Sequence, residues 1–316
     1  MPERELPIPQ FGDIIRARER ISNLVRQTPV CFSNGIWEDF GLKVWFKCEQ
    51  NQHTGSFKYR GVSNTMLSLS DSQLRNGVAT HSSGNHAKAL AYAARIRGVP
   101  AWIVMPEDAP PNKVEAVQAL DANITICKPG IAARENALNL VLEQTAAQFI
   151  HPYNDPRIVC GQGTATLELM EEVEKLQLLL VPVGGGGLLG GTSIAAKGVS
   201  ASTQVIGVEP KMADDAYRSL KSGKRVKEHT PNTIADGLRT TLGELSFRCI
   251  KKWTDGIVTV SESSILKAQK YLRRREDLKV EASSAVPLAA IIEGYFDKSE
   301  HNIGIILSGG NLPDPG

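Results

Sequence analysis

The sequence predicts an α/β fold of parallel sheets covered by helices on both faces. Short apolar runs that read as buried strands alternate along the chain with segments of helical spacing. Alternation of this kind places helices on both faces of parallel strands. Three of the apolar runs also end in glycine-rich loops. At 316 residues the chain is long enough for two subdomains with separate cores, and no repeat or low-complexity linker interrupts it.

Taken in order, Ile14, Ala17, Ile21, Leu24 and Val25 are helically spaced, and Thr28-Pro29 closes that first helix. A β-rich run over residues 43–49 precedes Thr54-Gly55-Ser56-Phe57-Lys58-Tyr59-Arg60-Gly61. There Lys58 follows an aromatic ring directly and adjoins a turn. Such a setting would strip water from the amine, lower its pKa and make it a nucleophile toward a carbonyl. A lysine held in a structural network reads the same way. The run at 78–80 enters Ser82-Ser83-Gly84-Asn85-His86 and then an alanine-rich helix over 87–96. Strands follow at 101–105 and 124–127, and a helix over 134–148. Residues 77–154 therefore make a compact βαβα block, bounded by Arg75-Asn76-Gly77 and Tyr153-Asn154-Asp155-Pro156.

Beyond that block, the strand at 178–183 enters Gly184-Gly185-Gly186-Gly187 and the apolar segment 188–196. Further strands are read at 205–208, 257–260 and 303–307, the last entering Ser308-Gly309-Gly310-Asn311. A strand running into glycines and then a helix presents free backbone N–H groups at a positive helix end, which suits a phosphate or carboxylate. Tight turns need glycine in any case. Four in succession exceed what a turn requires, so close approach of a ligand is the reading there.

Hydrophobic content of 41% and charged content of 22% are those of a globular protein. A formal net charge of +2 gives no reason to expect nucleic acid, and the basic clusters at 221–227 and 273–275 read as solvated faces. No apolar run approaches the ~18–20 residues of a membrane helix, so no membrane association is expected. The charged, proline-rich residues 1–10 do not read as a secretory signal. Five dispersed cysteines without metal-ligand spacing point to free thiols in a reducing compartment, the cytoplasm.

The ordered set Ser-Phe-Lys-x-Arg-Gly, Ser-Ser-Gly-Asn-His, Gly-Gly-Gly-Gly and Ser-Gly-Gly-Asn resembles the fold-type II pyridoxal-phosphate (PLP) enzymes. Within them it is most similar to the serine/threonine dehydratase and serine racemase branch. The resemblance runs from about Ile14 to Asn311. It includes Gly161-Gln162-Gly163-Thr164, Glu209-Pro210 through Asp214-Asp215, and Ile234-Ala235-Asp236-Gly237. It implies two open twisted parallel sheets with flanking helices, as in the tryptophan synthase β-subunit, with the cofactor in the interdomain cleft. Residues 1–76 and 155–316 would form the large cofactor-binding domain and 77–154 a small mobile one.

By the same resemblance Lys58 is the Schiff-base lysine, beside Phe57. Gly184, Gly185, Gly186 and Gly187, with the Leu188 backbone, hold the phosphate. Asn85 lies beside the ring's phenolic oxygen, Gly237 and Glu281 adjoin the cofactor, and Ser308 faces the pyridine nitrogen. A serine hydroxyl there leaves the nitrogen largely neutral, which suits prompt loss of a β-leaving group. Ser308 also reads as a turn residue ending a strand.

The implied reaction is β-elimination of L-serine or L-threonine to a keto acid and ammonia, with serine racemase activity. Lys58 removes the Cα proton, while Ser82, Ser83, Asn85 and His86 bind the substrate carboxylate. Ser83 has two readings: an acid/base on the opposite face of the cofactor, or a carboxylate-binding or N-cap serine. Arg134 is either a substrate contact or a surface arginine at a helix start. Glu209, the Ala213 carbonyl and Asp215 match a Mg²⁺ or Ca²⁺ site, hard oxygen ligands for a hard ion. Read without the resemblance, they are acidic residues near a helix start. A small amino-acid substrate and a homodimer complete the expectation.

Several positions depart from the family. His53 and Lys88 stand where the animal racemases carry a lysine and a glutamine at a nucleotide activator site, which argues against ATP activation. Glu281-Ala282 replaces a Glu-Pro, and Asn311-Leu312-Pro313 closes the last motif differently. No C-terminal regulatory domain is expected. A hydroxyaspartate-specific dehydratase is an alternative within the family. A non-catalytic ligand-binding relative is an alternative of another class, against which Lys58, Ser83 and the full glycine set speak. A dinucleotide-binding protein would need Gly-x-Gly-x-x-Gly with an acidic residue about 20 positions on, a pattern these loops lack.

Overall fold

A computed structural model describes residues 6–82, 84–296 and 302–312; Ser83 lies outside the described residues. The chain opens with α1 (Phe11–Ile21), β1 (Val30–Phe32), α2 (Asn34–Phe40) and β2 (Lys43–Cys48), followed by α3 (Lys58–Leu67) and α4 (Asp71–Leu74). Next come β3 (Val78–His81), α5 (Asn85–Arg97), β4 (Ala101–Pro106), α6 (Pro111–Gln118), β5 (Asn123–Cys127), α7 (Ile131–Thr145) and β6 (Gln148–Phe149). Then follow α8 (Pro156–Glu172), β7 (Leu176–Pro182), α9 (Gly187–Val199), β8 (Gln204–Pro210) and α10 (Asp215–Ser222). The last group is α11 (Glu244–Trp253), β9 (Gly256–Val260), α12 (Glu262–Arg275), α13 (Ala282–Ile292) and β10 (Asn302–Leu307).

The strands form two sheets. One has six strands in the order β1-β2-β10-β7-β8-β9, and the other four in the order β5-β4-β3-β6. All seven apolar runs read as buried strands are strands, but β5 is an edge strand that is not buried, with Asn123, Thr125 and Ile126 exposed. The pairing is parallel throughout except at one edge, where β1 runs antiparallel to β2. Both β1 and the two-residue β6 went unread in the sequence, being too short to show a period.

Alternation along β7 builds two cores. Leu178 and Leu180 pack with Leu288 and Ala289 of α13 and Leu272 of α12. Leu179 and Val181 face the other way, onto Leu188 and Leu189 of α9. Successive residues of a strand point to opposite faces, so an unbroken apolar run is what a strand covered on both sides requires. Truncating one such leucine to alanine costs about 2–5 kcal/mol. The smaller sheet repeats the scheme: Val78 and Ile103 pack on α5 and α3, while Ala79 and Val104 pack on α7.

Helices α1 and α7 differ most from the sequence reading. α1 stops at Ile21, and the Leu24 and Val25 amides turn back to its carbonyl. Ser22-Asn23, whose side chains compete for backbone groups, ends the helix before Thr28. α7 begins three residues earlier than read and ends at Thr145, because Ala146 adopts φ +54° and releases 148–149 to pair with β3. No helix among the described residues is long and apolar enough to cross a membrane.

Candidate active site

The carboxyl ends of β3, β6, β7 and β10 all deliver loops to one cleft of about 130 Å³, lined by residues that follow each of these strands. Ligands of open α/β sheets bind in such crevices. Every described residue singled out for cofactor or substrate contact lines it: Phe57, Lys58, Ser82, Asn85, His86, Arg134, the four glycines with Leu188, Gly237, Glu281 and Ser308.

Lys58 is the first residue of α3, and its Nζ donates to the Pro152 carbonyl at 3.0 Å. Burial pulls its pKa down to about 8, with nearby Glu281 acting in the opposite direction. Its helix is anchored by Arg60, which is fully buried and joined to Glu49 at 2.7 and 2.8 Å and to Glu168 at 2.6 and 2.7 Å. Lys47 shares Glu168 at 2.6 Å. The network ties α3 to α8 and β2, so the amine sits on a rigid base.

Opposite it, Gly184 to Gly187 lead into the buried first turn of α9. Gly186 has φ +83°, the left-handed region, and no side chain caps the helix. The Tyr153 ring lies on Gly185: a β-carbon there would stand 2.3 Å from the ring. A loop without side chains and a helix end without a capping side chain leave backbone N–H groups free to meet an anion such as a phosphate.

Asn85 donates to Glu281 Oε1 at 2.7 Å and accepts from Asn311 at 2.8 Å, and Lys88 holds Asn311 at 2.9 Å. Burial, and secondarily Asp236, push the Glu281 carboxyl up to about 7. The Ser308 hydroxyl lies 3.0 Å from Ser284 Oγ. Among the described residues no helix follows the Ser308 loop; Gly309 pairs with Ser56 instead. Burial drives His86 well below its ordinary pKa and His81 down to about 4, so both are neutral. Their Nδ1 atoms are buried without a partner among the described residues. Arg134 lies within the first turn of α7, bonds the Gly130 carbonyl at 3.3 Å and lines the cleft.

Sequence reasoning missed His81, Lys113, Tyr153, Asp236, Thr240 and Ser283, which also line the cleft. Lys113 and Asp236 form an ion pair across it. Tyr153 sits in a turn after a two-residue strand, where no pattern marks it; Asp236 lay within a matched stretch and could have been found.

Glu209 and Asp215 lie outside the cleft, both fully buried. Glu209 accepts the Ala216 and Tyr217 amides at 3.1 and 2.8 Å, and Asp215 Oδ2 accepts the Leu242 amide at 2.8 Å. Burial, then the neighbouring Asp215, raises Glu209 well above the carboxylate range; burial raises Asp215 to about 6. Asp215 Oδ1 has no hydrogen-bond partner among the described residues, and the His229 imidazole 3.7 Å away is held neutral by burial. No cluster of three or more His, Cys, Asp or Glu suited to a metal occurs among the described residues.

A half-buried lysine amine beside a glycine-lined helix N-terminus, at the crevice of a two-sheet α/β fold, is the arrangement a pyridoxal-phosphate enzyme requires. A family model for pyridoxal-phosphate dependent enzymes matches residues 21–309, and the chain belongs to that family. It is 47% identical to a serine racemase of Dictyostelium discoideum, over 95% of this chain and 94% of that protein. It is 42% identical to a beta-hydroxyaspartate dehydratase of Paracoccus denitrificans, over 96% and 97%. The crystal structure of a T.th. threonine deaminase superposes with a TM-score of 0.92, at 39% identity, covering 98% of this chain and all of that one (100%).

Proposed function

We propose that this chain uses PLP to eliminate the β-hydroxyl and amino groups of L-serine and L-threonine, and that it racemises serine. The observation that carries the reading is the half-buried Lys58 amine, which lines the cleft with its pKa lowered to about 8. Such an amine is neutral often enough near physiological pH to bond the cofactor carbonyl and afterwards to serve as a base. Bound PLP withdraws electrons from the substrate α-carbon, which makes its proton and β-substituent labile.

The residues divide the remaining work. Amides of Gly184 to Gly187 and Leu188 would hold the phosphate. Ser308 would face the ring nitrogen and Asn85 the phenolic oxygen, with Gly237 and Glu281 alongside. Ser82, Ser83, Asn85 and His86 would hold the substrate carboxylate at the start of α5. Lys58 Nζ would take the Cα proton from one side, and the Ser83 hydroxyl would return it from the other in racemisation. Residues 77–154 would close over the substrate, excluding water.

A second reading, dehydration of hydroxyaspartate, is favoured by Arg134. It lines the cleft with no ion-pair partner among the described residues, near His81, whose Nδ1 has no hydrogen-bond partner there. A second substrate carboxylate would supply that partner. We further propose that Asp215 Oδ1, Glu209 and the Ala213 carbonyl hold Mg²⁺ or Ca²⁺. Two buried, mutually repelling carboxylates with one unpartnered oxygen suit a cation. A homodimer in the reducing cytoplasm belongs to the same proposal, in keeping with five free cysteines.

The test is a product assay on L- and D-serine, L-threonine and L-threo-hydroxyaspartate, scoring keto acid and enantiomer separately. Keto acid from L-serine and L-threonine, with D-serine formed from L-serine, is expected. Turnover of hydroxyaspartate alone would transfer the assignment to the second reading, and turnover of none would defeat both.

A further inference from the structure

Cys31 and Cys48 meet on the edge of the six-stranded sheet. β1 pairs antiparallel with β2, and Cys31 lies opposite Phe46. Cys48, two residues further along β2, is therefore its diagonal neighbour on the same face. Their sulfurs are 4.0 Å apart, with the Cys48 thiol directed at Cys31. The Cys48 amide bonds the Pro29 carbonyl at 3.0 Å, so the ladder holds the two residues in this register. The two differ in surroundings: Cys31 is exposed and Cys48 fully buried. No other two sulfurs among the described residues are in hydrogen-bond contact.

We propose that Cys31 and Cys48 form a peroxide-oxidisable dithiol that closes to an intrachain disulfide. An S–S bond of about 2.05 Å needs the sulfurs to approach by roughly 2 Å. β1 is a three-residue edge strand, bonded on one side only, and can give by that amount. Cys31 is the thiol that peroxide can reach. Its thiolate attacks one peroxide oxygen; an S–O bond forms, the O–O bond breaks, and water leaves once the departing oxygen is protonated. Cys31 is thereby oxidised by two electrons to the sulfenic acid and one peroxide is reduced. Cys48 sulfur then attacks the Cys31 sulfur. The S–S bond forms, the S–O bond breaks, and the departing hydroxide takes the Cys48 proton as a second water. The sum is two thiols plus one peroxide giving one disulfide and two waters.

The division of roles follows from burial. Cys48 is pushed up to about 12 by burial and then by Cys31, so it remains a thiol until its partner is oxidised. Cys160 and Cys249 are likewise pushed up to about 12 by burial, and lie in another part of the core. The bridge would anchor the sheet edge to the residue just before Glu49, the carboxylate that holds Arg60 beneath Lys58.

The test treats the folded, PLP-loaded chain with a small excess of hydrogen peroxide, then blocks free thiols under denaturing conditions. The thiol titre should fall from five, the number of free cysteines, to three. A Cys31–Cys48 linked peptide should be found in an unreduced digest, and dithiothreitol should reverse both. Cys31→Ser, an exposed and conservative change, should keep all its remaining thiols, while Cys127→Ser should still form the bridge. A titre that stays at five, a sulfinic acid at Cys31 with Cys48 still free, or a bridge between two chains would each overturn the proposal.

Discussion

The Asn85 side chain donates to Glu281 Oε1 at 2.7 Å, tying the first residue of α5 to the N-cap of α13 across the cleft. A hydrogen bond from an amide favours the ionised carboxylate, yet burial and Asp236 outweigh it and the group stands at about 7 against an ordinary 4.5. This contact across the cleft is therefore charge-sensitive near neutral pH.

That shift has a sign. Between pH about 4.5 and about 7 the folded chain holds a proton on Glu281 that the unfolded chain has lost, so stability falls as pH rises through this window. Lys58, at about 8 instead of 10.5 without cofactor, acts oppositely: stability rises between those values. Thermal melts of PLP-free wild type and Glu281→Gln should show the wild-type Tm declining relative to the variant from pH 4.5 to 7. A constant difference would mean that the carboxyl titrates normally.

Replacing Lys58 with alanine removes the only amine proposed to bond PLP. The visible band of the lysine-bound cofactor should vanish, borohydride should leave no label on the chain, and turnover should fall by at least about 10³-fold. A reducible adduct on another lysine of the variant would sink the assignment.

Gly185 is where a single methyl group should disturb the phosphate cradle, since its β-carbon would stand 2.3 Å from the Tyr153 ring. Gly185→Ala should weaken PLP binding by about tenfold or more, near 1.4 kcal/mol, with little change in secondary structure. Adding Tyr153→Ala should restore part of that affinity. Absence of any rescue would show that the ring is not what the glycine accommodates. Equilibrium titration of the PLP-free proteins with PLP measures both.

How much of this was legible beforehand depends on the physics of each feature. The strand at 178–183 and the glycines after it could be read because apolar runs and consecutive glycines are local patterns. β1 and β6 could not, since a pairing of two or three residues is decided by the partner strand. Lys58 was visible through its motif, but its support by Arg60, Glu49 and Glu168 joins residues far apart in the chain, which no spacing displays. His81 and Tyr153 were missed for the same reason: their place in the cleft is set by where β3 and β6 end.

The Arg60 network should be costly to break. Arg60 is wholly buried between two carboxylates. Arg60→Met would leave Glu49 and Glu168 in the core with Lys47 as the remaining cation, a loss of about 3–5 kcal/mol. Neutralising both in the triple variant Arg60→Met/Glu49→Gln/Glu168→Gln should recover part of that loss in urea unfolding. If the triple variant is less stable than the single one, the penalty arises from packing and not from stranded charge.

The proposed cation at Glu209 and Asp215 makes the sharpest contrast between two readings of the same atoms. As ligands, the carboxylates gain from a divalent ion, and a site loaded at 100 times its Kd stabilises the fold by about 2.7 kcal/mol. EDTA should then lower Tm by several degrees, Mg²⁺ or Ca²⁺ should restore it, and Asp215→Asn should abolish the response. As mere partners of the α10 and Leu242 amides, the two groups only repel each other in the core. Asp215→Asn would then relieve that repulsion while keeping an oxygen to accept the Leu242 amide, and should raise Tm with no sensitivity to chelator. A variant stabilised in this way, from a wild type indifferent to EDTA, would rule out the ion and leave Glu209 as a helix cap.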